Sequence, residues 1–304
     1  MASLRDIRNR IGGVKNTQQV TRAMKMVAAA KLRRAQENIF QTRPYAYKLN
    51  EITTHLRQHL DPTAHPLFQA RDEVENVLLI IVTADRGLAG AFNTNVIKTA
   101  EQTIKAQYAD KAENGNLYLV CVGKKGHEYF ERRGYQLVGD FRGAFDKVSV
   151  STVQKIGDAA VDGFMEGRWD KVDVVYNEFK NTISQNRIVE PLLPITDELF
   201  LTPLMEGTMD EETEASASNV DYIFEPDPEG ILEILVPRFL NYELWRILLE
   251  SNAAEQGARM VAMDNATTNA QELLRDLKLQ YNRARQDAIT KELIEITSGA
   301  DALS

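Results

Sequence analysis

The chain has 304 residues, 43% hydrophobic and 26% charged, with 17 glycines and nine prolines. Those proportions fit an ordinary globular chain, long enough for two average domains or for one with large appendages. The net charge of −8 hides a split: residues 1–59 carry 12 Lys/Arg against three Asp/Glu, and the other 245 carry 24 against 41.

A basic arm on an acidic chain implies a charged partner for the arm. The arm has no aromatic residue before Phe40, so it offers no base-stacking platform, and no leucine heptads follow it as in a basic zipper. An acidic protein surface explains its charge equally well. The single cysteine, Cys121, excludes an internal disulfide and a cysteine-built metal cluster, and its apolar setting, Leu117–Gly123, reads as core. His55 and His59 are four apart, as in a helical metal pair, but no HExxH glutamate accompanies them. They read as a solvated helix face, and no metal or cofactor is expected. No window reaches the ~18 apolar residues of a membrane span. The start has no apolar signal segment. Membrane contact is therefore expected through partners only.

In chain order, residues 3–58 read as one long helix. Leu4, Ile7, Ile11 and Val14 open a 3-4 stripe that continues through Thr21, Ala28, Leu32, Ala35, Ile39, Leu49 and Leu56. Gln18, Thr21 and Lys25 interrupt the seam, which suits a close-packed shaft better than a uniform zipper. Pro44 is expected to kink or restart the helix. Asp61-Pro62 and His65-Pro66 mark a linker. Val77–Val82 and Leu117–Val122 are continuous apolar runs of strand length, as in buried parallel strands. Tyr135–Val138 is a weaker strand, and Val172–Phe179 with Arg187–Leu193 forms a hairpin across a polar turn. Helices are expected at 94–112, 124–132 and 150–166. The alternation predicts an α/β layer structure of roughly 130 residues. Residues 206–229 carry nine acidic side chains and no basic one, and read as a mobile surface loop. A last helix is expected from about 237 to 297, with Pro237 in its first turn and Gly299 as its stop. Its seam is Ala253, Met260, Met263, Thr267, Ala270, Leu274, Leu277, Tyr281, Ala284 and Ala288. Sixty such residues make a rod of about 90 Å.

Each long helix has one apolar face to bury, and the nearest solution is the other helix. The expected fold is α/β: two long terminal helices forming an antiparallel coiled coil, with a central Rossmann-like α/β domain. The expected divisions are 1–60, 74–200, an acidic linker at 201–230, and 231–304. Such a plan suits a mechanical or scaffolding task. The loop Thr83–Asn93 sits where phosphate-binding loops sit, yet matches neither GxGxxG nor GxxxxGK[ST]. No GxSxG elbow is present, and the few histidines are remote from any candidate serine. Two readings of other kinds remain open on the residues alone: a nucleic-acid-binding scaffold using the basic arm, and a nucleotide-binding enzyme using the 83–93 loop.

Specific motifs narrow the choice. Asn16-Thr-Gln-Gln-Val-Thr-Arg-Ala-Met-Lys-Met-Val-Ala-Ala-Ala-Lys-Leu-Arg-Arg34 resembles the first helix of F-type ATP synthase gamma subunits, as does the break Arg43-Pro44-Tyr45. Asp85-Arg-Gly-Leu-Ala-Gly90 with Asn93 resembles the family's first central loop. Ile289-Thr290, Glu292, Glu295 and Gly299-Ala300 reproduce the spacing of its C-terminal signature.

The resemblance implies a non-catalytic rotor shaft inside three alpha and three beta subunits, resting on the epsilon subunit and the membrane c-ring. It implies a peripheral position on the cytoplasmic face of a bacterial plasma membrane and no nucleic-acid partner. It implies beta-subunit contacts at Arg8, Met24, Lys25, Arg33 and Arg34 on the first helix. On the last helix it implies them at Arg259, Arg285, Gln286 and Thr290, with the tip from Ile289 to Leu303 in an apolar collar. The chloroplast form's regulatory cysteine pair has no counterpart, since Cys121 stands alone.

Overall fold

The structure, a computed structural model, describes residues 3–59, 65–145, 148–195 and 227–301. The acidic run at 206–220 lies outside the described residues. So do the side chains of His55, Leu56 and His59. The elements in order are α1 (Leu4–His59), a 3-10 turn (Pro66–Phe68), β1 (Val77–Val82), α2 (Phe92–Gln107), α3 (Ala109–Glu113) and β2 (Leu117–Val122). They continue with α4 (Lys124–Glu131), β3 (Gln136–Leu137), α5 (Val150–Met165), β4 (Lys171–Phe179), β5 (Gln185–Leu193) and α6 (Pro228–Asp301). The chain divides into two compact units: Met1–Ala29 with Arg259–Ser304, and Ala30–Ala258.

In the larger unit a five-stranded sheet has the order β3-β2-β1-β4-β5. β1 is central, parallel to β2 and β4, and every one of its six residues is buried. That explains its unbroken apolar sequence, because a strand covered on both faces has no side to leave polar. Its residues alternate between two cores. Val77, Leu79 and Ile81 pack with Val96, Ile97, Ala100 and Ile104 of α2 and Phe130 of α4. Leu78, Ile80 and Val82 pack with Val153, Ile156 and Phe164 of α5 and with Leu232, Val236, Phe239 and Leu240 of α6. β5 returns antiparallel to β4 through a turn in which the Asn181 side chain accepts the N–H groups of Ile183 and Ser184. Where α5 ends, Gly163 lets Trp169 lie against the helix; a Cβ there would come within 1.9 Å of the indole.

The expected strands and their order along the chain are present. The helices differ from expectation in four places. The helix expected at 94–112 is two pieces, because Tyr108, at φ −130°, breaks the α-helical run. Its hydroxyl is held by Asp173 and Lys171 of the sheet. The last helix begins at Pro228, so Pro237 lies inside it and not in its first turn. An internal proline costs about 3 kcal/mol. Leu232, Val236, Phe239 and Leu240, each at most 2% exposed, flank it, and burial at about 1.5–3 kcal/mol per side chain outweighs that cost. The helix also continues through Gly299 to Asp301. Pro44 does not restart α1, which runs unbroken from Leu4 to His59.

In the smaller unit, residues up to Ala29 of α1 lie antiparallel to α6 from Arg259 onward. Lys25 meets Asp264 and Thr21 meets Thr267, so rising numbers on one helix meet falling numbers on the other. On α1 the sheltered positions include Leu4, Ile7, Ile11, Val14, Gln18, Thr21, Lys25 and Ala28, which follow a 3-4 repeat, with Met24 and Ala29 beside it. On α6 they include Met263, Thr267, Ala270, Leu274, Leu277, Tyr281, Ala284 and Ala288. This is the seam of a two-stranded coiled coil.

Candidate functional site

Two places could carry function: the loop after β1, and the surface of the helix pair.

The loop is built to hold itself. Asn93 accepts the Ala84 N–H at 2.8 Å and donates to the Arg86 carbonyl at 3.3 Å, so one side chain ties both ends. The Asp85 carboxylate accepts the N–H groups of Lys124 at 2.8 Å, Gly143 at 2.7 Å and Phe145 at 3.0 Å. Lys124 is the first residue of α4, and a helix N-terminus of that kind attracts anions. Here the chain's own carboxylate fills that role. Gly123 makes the approach possible: at φ +92° its absent Cβ would stand 2.0 Å from the Thr83 carbonyl. Leu88 at the loop tip has φ 64° and is exposed. Thus Asp85, in a loop placed where phosphate-binding loops sit, closes a β1–α4 junction from within, and Gly123 gives the room for it.

Cys121 is buried on β2, and burial pushes its thiol up to about 12, so it is an unreactive core residue at neutral pH. Among the described residues, no group of three or more His, Cys, Asp or Glu is placed to hold a metal. No helix among them is long and apolar enough to cross a membrane.

The helix pair has a different character. Its centre is a polar layer. The Thr21 and Thr267 hydroxyls lie 2.8 Å apart and share a hydrogen bond, and the Thr267 hydroxyl is also 2.7 Å from the Met263 carbonyl. The Thr21 hydroxyl also lies 3.1 Å from the Gln18 carbonyl. One turn on, Lys25 reaches Asp264 at 2.6 Å, with both side chains about half exposed. Lys25 was expected as a partner contact from its position on the arm. Its ion-pair partner Asp264 was not singled out by the sequence, and only the antiparallel register reveals it.

The other expected contact residues are spread over the pair and its approaches. Arg8 and Arg34 are exposed on α1, and Met24 is half-buried beside the seam. Arg33 is exposed and bonds Glu37 one turn away at 3.0 Å. Arg259 is half-buried on α6, while Arg285, Gln286 and Thr290 are exposed. Extending the register sets Leu4 about level with Ala284, so Arg8, Arg285 and Gln286 share the same end of the pair. Beyond Ala288 every position through Ser298 is exposed. That overhang displays Ile289, Leu293, Ile294 and Ile296, between 49% and 67% exposed. Four large aliphatics in open water over about 11 Å of helix form an unpartnered apolar end. Val20, Met26 and Val27 are similarly exposed on the outer face of α1.

The comparisons with known proteins agree with this plan. A family model described as ATP synthase matches residues 3–303. The ATP synthase gamma chain of Salinibacter ruber is 61% identical over 304 residues, covering 100% of this chain and 99% of the relative. That of Chloroherpeton thalassium is 51% identical over 308 residues, with 100% and 99% covered. Among solved structures, a chain of the Euglena gracilis mitochondrial ATP synthase assembly containing OSCP, F1 and c-ring superposes with a TM-score of 0.61. It is 21% identical and the match covers 99% of this chain and 94% of that one, which speaks to the fold. With full-length identity at that level and the same succession of helix, sheet and helix, this chain belongs to the ATP synthase gamma chain family.

Proposed function

We propose that this chain is the central rotor shaft of an F-type ATP synthase, coupling ion flow through a membrane ring to nucleotide chemistry on the surrounding subunits. The observation that carries the reading furthest is the apolar overhang of α6. Ile289, Leu293, Ile294 and Ile296 stand exposed beyond the end of α1. An apolar end of that kind calls for an enclosing partner. The partners are three alpha and three beta subunits around the helix pair, with epsilon and the c-ring against the α/β unit. No nucleic acid is involved. The chain is itself non-catalytic, and its membrane association is indirect and peripheral, on the cytoplasmic face. Its divisions are the first helix, the α/β domain over about 74–200 and the last helix, which starts at Pro228 and not at 231.

In physical terms the shaft acts as a ligand with unequal affinity for the open and closed beta states. Its unlike faces bias three chemically identical neighbours differently, and rotation exchanges the bias. Arg8, Lys25, Arg33, Arg34, Arg259 and Arg285 supply cationic contacts, Gln286 and Thr290 neutral polar ones, and Met24 an adaptable apolar one. Contacts of a rotor must be weak one by one, and exposed pairs of about 0–1 kcal/mol meet that demand.

The test is gentle solubilisation of native-host membranes carrying the tagged chain, followed by subunit counting. Three alpha and three beta with epsilon, the c-ring and ATPase activity per tagged chain support the rotor. Recovery of the chain alone, or with nucleic acid, sinks it.

A further inference from the structure

Inside the α/β unit a buried charge cluster joins α6 to the β4–β5 hairpin. Arg246, 5% exposed, is its centre. Its Nε donates to Glu243 at 2.8 Å, its Nη2 to both oxygens of Glu190 at 3.0 and 3.2 Å, and its Nη1 to Glu250 at 3.5 Å. Nη1 also lies 3.3 Å from the Tyr176 hydroxyl, which donates onward to Glu190 at 2.9 Å. Glu178 on β4, 0% exposed, accepts Asn186 through one oxygen at 2.9 Å, and its other oxygen has no partner. Tyr242, next along α6, turns its hydroxyl to the Thr42 carbonyl of α1.

Three carboxylates, Glu190, Glu243 and Glu250, thus face one guanidinium, and the buried Glu178 acts on Glu250. Buried charge is tolerated only when paired, and a surplus of this size in a dry space is relieved by taking up protons. Burial raises Glu250 to about 7; Arg246 opposes the shift, and Glu178, Glu190 and Glu243 add to it. Burial raises Glu243 as well, with Arg246 again opposing. Glu243 and Glu250 bond the same guanidinium, so these two titrate together and share the proton.

We propose that this cluster is a proton-operated latch: a proton shared between Glu243 and Glu250 beside Arg246 clamps α6 onto the β4–β5 hairpin, and losing it slackens that contact. The sign follows from linkage. A carboxylate raised above its free value binds its proton more tightly in the closed state. The closed state is therefore favoured in acid and weakens as pH rises between the free and the raised values. The latch is a property of the α/β unit and is independent of the rotor reading.

The experiment is amide hydrogen exchange on the full chain at residues 243–250 and 188–190, corrected for intrinsic rates, from pH 5 to 8. The expected opening constant rises by up to about tenfold per pH unit until near 7 and then levels. In Glu250→Gln the rise is smaller, and what remains of it belongs to Glu243. A glutamate carboxyl-carbon signal titrating near 7 in the wild type disappears in the same variant. Should Glu250→Gln not fold, Glu178→Gln serves: removing that neighbouring charge moves the plateau to lower pH. A wild-type opening constant flat over this range overturns the latch. So does a rise that Glu250→Gln leaves undiminished, or a plateau that Glu178→Gln leaves unmoved.

Discussion

The two units bury their surface in opposite ways. The α/β unit hides large side chains completely: Trp169, Tyr176, Phe92, Phe130 and Phe239 are all essentially inaccessible. The helix pair hides little. Its buried seam comprises Ile7, Thr21, Ala28, Met263, Ala270 and Leu277, of which two are alanines and one a threonine. At about 25 cal/mol per Å² of apolar surface, the first arrangement carries its own stability and the second is thinly stabilised. The difference shows where each unit expects company. A core of aromatics is finished within the chain. A narrow seam with Val20, Met26, Val27, Leu279 and Leu293 exposed outside it leaves apolar surface for something else to cover.

Substitutions sharpen that contrast. The largest effect is expected for Trp169→Ala. The indole is buried against Gly163 and donates Nε1–H to the Ala160 carbonyl at 2.8 Å. Its loss should cost about 3–5 kcal/mol in urea unfolding followed on the α/β unit. Leu277→Ala in the seam, where neighbours can collapse, should cost about 2 kcal/mol, and exchange of the smaller unit's amides should report it first. Equal costs at the two sites would break the comparison.

Asp170→Asn comes next. Burial works against the charged form of Asp170. The N–H of Asn76, the Arg71 guanidinium and the N–H of Glu75 outweigh it and hold the carboxyl below its usual range. A lowered carboxylate contributes stability that is full above its unfolded value and is lost as pH falls through its folded one. The wild type should therefore lose up to about 1.5–3 kcal/mol on acidification below pH 4, and the variant should show a flatter acid limb. An unchanged acid limb would show that Asp170 does not anchor the chain as it enters β1.

Much of this was legible beforehand, for identifiable reasons. Val77–Val82 and Leu117–Val122 were found because strands covered on both faces have nothing polar to confuse them. The seam from Leu4 to Ala288 was found because a 3-4 repeat survives even when alanine and threonine occupy it. Helix ends were harder. Pro237 looked like a beginning because local rules see its missing N–H and not the burial of Leu232 and Val236 on the sheet. Tyr108 looked helical because its tie to Asp173 joins residues 65 apart in sequence. The same distance hid the Arg246 cluster, which needs β4, β5 and α6 to be assembled before four scattered glutamates become neighbours. Asp85 was noticed as a motif residue, but its work of accepting three N–H groups depends on Gly143 and Phe145, far along the chain.

The smallest expected effect falls on the pair that looks most specific. Lys25 and Asp264 touch at 2.6 Å, yet their side chains are 40% and 54% exposed. Water screens such a pair and ordering two mobile side chains opposes it, so it should contribute about 0–1 kcal/mol. A double-mutant cycle with Lys25→Ala and Asp264→Ala should give a coupling in that range that shrinks as salt is raised. The Thr21–Thr267 layer beside it is neutral and better sheltered, so a cycle with Thr21→Val and Thr267→Val should show a coupling that salt leaves alone. If the Lys25 coupling instead exceeds about 2 kcal/mol and resists salt, the pair belongs with the buried interactions. The helix surface would then be fixed from within, and the contrast between a finished core and an open shaft would fail at this point on the shaft.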